Sequence, residues 1–216
     1  MIASDTITTS GYNPTALKIL HTAAQLFMQL GYRAVSINDI VKAAEITKPT
    51  LYYYFADKAE LFTQMGLQKL EAMHAAIDAA LVGARGLEAR LAALAGVLLN
   101  ASDGDMRLMR HEMAEHLGPA HQARLAQAFQ QHLFMPIYHE MQAGIERGAL
   151  AQHSAAELTM LFLALMEAFH GYGGQISGMQ LPPQIGQFRP QVFTPAALVG
   201  MFLYGVARTE ERGATE

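Results

Sequence analysis

The sequence predicts an all-α fold, a small N-terminal three-helix unit followed by a longer helical body. Three observations predict it. Apolar residues recur at steps of three and four along most of the chain, the spacing that lines up one face of a helix. Ala and Leu are abundant, Trp is absent and alternating β-branched runs are hard to find, a balance that favours helix over strand. Gly31, Gly83, Gly86 and Gly118-Pro119 then punctuate the periodic stretches. With 216 residues, 51% hydrophobic and 16% charged, the chain can bury a sizeable core in one or two packed units.

The first helix is expected to start at Pro14, which a first turn tolerates. Leu17, Leu20, Ala24 and Phe27 recur at steps of three and four, with Ile19, Ala23, Leu26 and Leu30 beside them, and Gly31 ends the run. Ser36-x-x-Asp39 reads as a capping box, hydroxyl on one backbone N–H and carboxylate reaching back to another. Ile37, Ile40, Val41 and Ala44 give the second helix a single apolar stripe, and Glu45-Ile46 is the turn. Thr47 offers the next N-cap, with Lys48, Pro49 and Thr50 in the first turn of a helix over 48–55. So short a helix must pack on its neighbours to persist. Asp57-x-x-Glu60 opens another helix in the same manner, running to about residue 81. Two short helices, a tight turn and a supporting first helix make a helix-turn-helix.

The run from Ser36 to Leu61 resembles the signature of TetR-family transcriptional regulators, most specifically in Leu51-Tyr52-x-Tyr54-Phe55-x-x-Lys58-x-x-Leu61. The resemblance covers about fifty residues, from Ala16 to roughly Met65. Glu45 departs from it, since the family usually has glycine there; in a left-handed backbone a non-glycine residue costs about 1–2 kcal/mol. The polar residues 1–12 read as a loose arm; with the resemblance, 13–58 is expected as the helix-turn-helix DNA-binding domain, 59–210 as an effector-binding and dimerisation domain, and 211–216 as a tail.

A recognition helix enters the major groove and offers its N-terminal side chains to base edges. Here those are Lys48, Pro49 and Thr50, with Tyr53 one turn on; lysine can donate to guanine, and the proline ring and threonine methyl can touch a thymine methyl. Tyr52, Tyr54 and Lys58 suit phosphates, and Ser36, Asn38, Arg33 and Thr47 are further candidates. Leu51 and Phe55 read better as core, and the tyrosines suit either contact or packing. The first sixty residues hold five Lys/Arg and five Asp/Glu, so the whole net charge of −4 lies beyond them. A short reading surface on an acidic body fits that distribution; wrapping long DNA does not. Two or three cations per subunit imply a moderate salt dependence, log K falling by about 0.9 per phosphate neutralised.

In the body, helices are expected over 87–101, 105–117 and 120–147, with Pro136 kinking the last because its nitrogen cannot bond back to His132. The stretch 154–170 is apolar nearly all round and must be covered on several sides. A Gly-, Pro- and Gln-rich loop over 171–190 precedes a last apolar helix over 194–208. The resemblance implies that the last two helices form a four-helix dimer interface, with Leu158, Phe162, Leu165, Leu198, Phe202 and Val206 as candidates. A dimer would present half-sites one or more helical turns apart on double-stranded operator DNA. Nine of the 13 methionines lie after residue 100; methionine suits adaptable apolar surfaces. An apolar effector cavity is expected near Met109, Met113, Phe129, Leu133, Phe134, Met166, Phe169 and His170. A small molecule there would shift the first and fourth helices and alter the spacing of the two reading heads.

Other classes fit less well. The longest apolar stretches, 91–99 and 158–166, stop short of the ~18 residues of a membrane span. The N-terminus lacks a basic cluster before an apolar run, so a cytoplasmic protein is expected. Without cysteine there is no disulfide, thiol switch or Cys-ligated zinc. His111 and His116 are five apart, about 140° around a helix, and cannot share a metal as an i, i+4 pair does. His132 and His139 stand about 10 Å apart, too far for one ion. No nucleophile elbow, phosphate loop or dinucleotide fingerprint is present, so neither enzyme nor cofactor is expected. The expected function is a ligand-responsive regulator, most simply a repressor. The rival is a helical ligand-binding or metal-sensing protein without specific DNA binding, and an all-helical hydrolase stands behind both.

Overall fold

The computed structural model describes residues 13–100, 106–150, 153–176 and 194–205, with side chains over 13–100, 111–150, 153–169 and 194–205. Among them are ten α-helices, one π-helical turn and no strand. The arm over 1–12, the tail, the side chains of Met109 and His170, and Val206 lie outside the described residues.

The N-terminal elements follow their local signals. Helix α1 (Pro14–Leu30) starts on Asn13, whose side chain accepts from the Thr15 N–H at 2.9 Å. It ends at Gly31, whose φ of +81° only glycine adopts without strain. Helix α2 (Ile37–Ala43) carries the complete capping box: Ser36 Oγ accepts from Asp39 N–H at 3.2 Å, and Asp39 Oδ2 accepts from Ser36 N–H at 2.9 Å. Helix α3 (Lys48–Tyr54) is capped by Thr47, and Phe55 turns extended to end it. Helix α4 (Lys58–Leu81) begins where Asp57 Oδ1 accepts from the Glu60 N–H at 2.7 Å.

The body contains α5 (Leu87–Asn100), α6 (Met106–His116), α7 (Pro119–Phe129), the π turn Gln130–Phe134, α8 (Met135–Glu146), α9 (Ala155–Ile176) and α10 (Pro195–Tyr204). The break expected at Pro136 takes the form of the π turn just before it. Pro136 has no N–H to give the His132 carbonyl, and a widened turn accommodates that loss within a continuing helix. Helix α9 runs six residues beyond the expected end at 170, so the start of the expected loop is helical. Glycine at 171, 173 and 174 lowers helix propensity by about 1 kcal/mol each without forbidding the geometry.

The chain forms two compact units. One holds the described residues of Met1–Met73 and Asp103–Leu133, the other those of His74–Ser102 and Phe134–Glu216. The functional boundary expected at 58/59 lies inside the first unit, because the core beneath the helix-turn-helix continues beyond it. Ile19, Leu20, Phe27, Ile40, Leu51 and Phe55 share that core with Leu61, Phe62 and Met65 of α4, Leu117 after α6, and Leu125 of α7. Gln122 Nε2 closes the end of α6 by donating to the Leu117 carbonyl at 2.8 Å and the Ala114 carbonyl at 3.2 Å. In the second unit α8, α9 and α10 pack on α5, burying Leu91, Leu94, Ile137, Met141, Phe162, Met166, Leu198 and Val199. Arg90 of α5 grips Glu140 of α8 bidentately, at 2.5 and 2.7 Å, and also donates to the Ala84 carbonyl at 3.3 Å.

Candidate nucleic-acid interface

The α2–turn–α3 segment is held by burial on one side and hydrogen-bonded caps at each helix start. Ile40, Ala44, Leu51 and Phe55 are buried, which fixes the rotation of both helices. Glu45 makes the turn with φ +53°, the only non-glycine positive φ among the described residues. Its carboxylate stands 3.7 Å from the Lys18 ammonium on α1, both largely exposed. Thr47 Oγ1 accepts from the Thr50 N–H at 3.3 Å and lies 2.8 Å from Thr50 Oγ1.

This rotation leaves an outward surface at the start of α3. Thr47, Lys48 and Pro49 are exposed and Thr50 half-buried; Tyr52 is 50% and Tyr53 82% exposed. Large aromatic rings so open to water are unusual on a helix that contributes only Leu51 to the fully buried core. Tyr53 meets Tyr54 edge to face at 4.9 Å, and Tyr54 packs on the core, so its ring is committed to packing. Arg33 and Asn38 are exposed at the approach to α2 and in its first turn; Ser36 is exposed while serving its cap. The Asp39 carboxyl is held below the ordinary range by hydrogen bonds from the Ser36 side chain and backbone, with Lys42 aiding.

Lys58 behaves differently from the other cations expected to meet phosphate. Its ammonium donates to the Val35 carbonyl at 2.7 Å and lies 4.1 Å from the centre of the Tyr32 ring. Burial lowers its pKa, which the Glu112 charge partly offsets. Tyr32 is itself sandwiched by aromatic neighbours: Phe27 stacks at 5.6 Å, Phe62 meets it at 5.0 Å, and His116 of α6 stacks at 5.4 Å. Sequence reasoning missed Tyr32, Glu112 and His116; Tyr32 directly after Gly31 was the one available hint.

Of the expected effector residues, Met113 packs against the N-terminal core, and Phe129 (half-buried) and Leu133 (buried) also belong to the first unit. Phe134, Met166 and Phe169 belong to the second; Phe134 stacks on Tyr138 at 6.2 Å and Met166 is buried. Of the expected interface residues, Phe162 and Leu198 are fully buried within one chain, and Phe162 meets Phe202 edge to face at 5.4 Å. Those two are core, because α10 lies over that side of α5 and α9. Among the described side chains of α9, the large apolar ones left exposed are instead Met160 and Leu161, at 57% and 58%. An all-round apolar helix is thus only partly covered in one chain.

Among the described residues no three His, Asp or Glu side chains gather in a way that could hold a metal ion. No helix there is long and apolar enough to cross a membrane.

Known proteins resemble this geometry at two scales. Residues 19–65 match the family of bacterial regulatory proteins described as the tetR family. Over 55 residues the chain is 36% identical to the "Probable acrEF/envCD operon repressor" of Escherichia coli K12, covering 26% of this chain and 25% of that protein. Over 48 residues it is 44% identical to the "HTH-type transcriptional regulator QacR" of Staphylococcus aureus, covering 22% and 26%. The matched segment spans about a quarter of the length of these curated relatives. The fold is similar over far more of the chain. The fatty acid degradation regulator FadR of Bacillus halodurans superposes with a TM-score of 0.71 at 14% identity, over 91% of this chain and 98% of that one. FadR of Bacillus subtilis, solved in complex with stearoyl-CoA, gives 0.68 at 12% identity, over 88% and 99%. Residues 19–65, the segment that carries the helix-turn-helix, are thus similar to the tetR family of bacterial regulatory proteins, and the fold over most of the chain is similar to that of solved regulators.

Proposed function

We propose that the protein is a ligand-responsive transcriptional repressor that occupies a palindromic operator as a homodimer and is released by a small, largely apolar effector. The observation that carries the DNA reading is the start of α3. Leu51 and Phe55 are buried beneath it, while Lys48, Pro49, Tyr52 and Tyr53 stand outward from a Thr47-capped first turn. Lys48, Pro49, Thr50 and Tyr53 would reach base edges in the major groove. Arg33, Ser36, Asn38, Thr47 and Tyr52 would fix register on the phosphates. Tyr54, whose ring packs inward, would offer only its hydroxyl.

Two further features support the rest. Met160 and Leu161 lie uncovered on α9, with half-buried Leu158 and Leu165 on the Leu161 side; a second copy would remove that surface from water. Leu158, Leu165 and Phe202 stay in the proposed dimer surface; Phe162 and Leu198 leave it. For the effector, the apolar side chains of Phe134, Met166 and Phe169 in the second unit favour an apolar compound. A long-chain acyl compound, sharing the apolar chain of the stearoyl-CoA in the Bacillus subtilis FadR complex, is the first to try.

Selection of bound sequences from random duplex DNA, at defined salt, tests this reading. A two-fold symmetric site that is lost on Lys48→Ala with Tyr52→Ala supports it. Salt-sensitive background binding alone would leave a helical ligand-binding protein without an operator.

A further inference from the structure

We infer that Lys58 is a positioning residue, and that Glu112 and His116 of α6 act through it and Tyr32 to set the posture of the DNA-reading helices. The inference rests on the DNA reading above and concerns how the reading head is held.

The chain of contacts is continuous within the first unit. The Lys58 ammonium donates to the Val35 carbonyl, one residue before the Ser36 cap of α2, and so ties the first turn of α4 to the entrance of the helix-turn-helix. Its other face rests on the Tyr32 ring at 4.1 Å, a placement worth more when partly withdrawn from water. Tyr32 carries His116 as a stacked ring, 18° from parallel. His116 Nε2 lies 3.4 Å from Glu112 Oε2 and 3.8 Å from Glu115 Oε2. Glu112 Oε2 is buried without a hydrogen-bond partner. An oxygen in that condition is costly unless nearby positive charge compensates it. Lys58, whose charge Glu112 stabilises, supplies that compensation, with the His116 ring beside the same oxygen. The other oxygen, Oε1, closes on Gly31; a Cβ there would stand 3.2 Å from it. One carboxylate on α6 therefore closes on the end of α1 and lies beside His116, the stacked partner of Tyr32, while its charge favours the cation that holds Val35.

A phosphate contact and an internal brace leave different marks on DNA binding. Losing a phosphate contact lowers the salt slope by about 0.9 per subunit, hence about 1.8 for a dimer. Losing a brace weakens binding without changing how many counterions are released.

The test is equilibrium binding of the selected operator duplex across a salt series, for wild type, Lys58→Met, Glu112→Gln and the double variant. Circular dichroism would establish that each is folded at the assay temperature. The expected result is an affinity lowered about tenfold in each single variant, an unchanged salt slope, and a double variant little worse than either single, as for residues of one network. A slope reduced by about 1.8 for Lys58→Met would place the lysine on phosphate and overturn the inference. So would unchanged affinity, or strictly additive losses. If wild type finds no symmetric site, the DNA reading itself has failed. The same four proteins in urea unfolding then decide the brace: non-additive destabilisation supports it and additivity removes it.

Discussion

Glu45 offers a sharp test, because its backbone sign reverses an ordinary rule. At φ +53° it sits where an L side chain crowds its own carbonyl, a cost of about 1–2 kcal/mol. Glycine removes that cost but gives the unfolded chain more freedom, returning about 0.4–1 kcal/mol. The substitution also loses the 3.7 Å approach to Lys18, an exposed pair worth roughly 0.2–0.5 kcal/mol. Glu45→Gly should therefore be neutral to stabilising, by up to about 1 kcal/mol. Glu45→Ala keeps the strained backbone and loses the pair, so it should be slightly destabilising. At an ordinary helical position alanine exceeds glycine by about 0.5–1 kcal/mol; here glycine should exceed alanine by a similar amount. Urea and thermal unfolding followed by far-ultraviolet circular dichroism would read the difference as about 2–4 °C in Tm. Alanine equal to or more stable than glycine would show that the turn relaxes out of the left-handed region, and the strain reasoning would be wrong.

Three other substitutions bear on the cores and clamps. Leu51→Ala, at a side chain with no exposure, should cost about 2–5 kcal/mol in urea unfolding and loosen α3; a loss under 1 kcal/mol would mean that α3 is not anchored there. Burial opposes the Glu60 carboxylate, but hydrogen bonds from Arg124 and Gln64 and the charges of Arg124 and His121 outweigh it and hold its pKa below the ordinary 4.5. The stabilisation from this group is thus complete above about pH 4.5 and lost as pH falls through the lower folded value. The stability gap between wild type and Glu60→Gln should close in acid, and a gap that widened would contradict the clamp. Glu140→Gln should cost about 2–3 kcal/mol, below the figure for a wholly buried pair because Arg90 keeps 27% exposure. Replacing both partners with apolar residues should recover most of that loss in the same unfolding assay.

Much of the local architecture was legible in the sequence because its causes are local. A capping box spans four residues, a proline at a first turn acts on its own nitrogen, and a glycine ends a helix through its own φ. Pro14, Ser36, Thr47, Asp57 and Gly31 accordingly sit where those rules put them. The burial of Leu51 and Phe55 was legible for a related reason: helical spacing fixes which residues share a face. Helix α9 shows the limit of periodicity. Apolar on nearly every side, it carries no sequence signal for which side the same chain covers. Only the packing of α10 and α5 puts Phe162 inside and leaves Met160 and Leu161 outside.

By itself, then, the sequence determined the helix count near the N-terminus, the caps, the strained turn at Glu45 and the family signature on residues 36–61. Tertiary structure alone decided the direction of Lys58. A lysine at that position can reach outward to phosphate or back to a carbonyl with equal ease, its long stem having several rotamers. The choice is made by Val35 and Tyr32, more than twenty residues away along the chain, and by Glu112 and His116, more than fifty away. Tertiary structure likewise joined α6 and α7 to the N-terminal core and answered Pro136 with a π turn rather than a bare kink. Interactions closed by distant residues leave no periodic trace, because the energy that selects them exists only once the chain has brought those residues together.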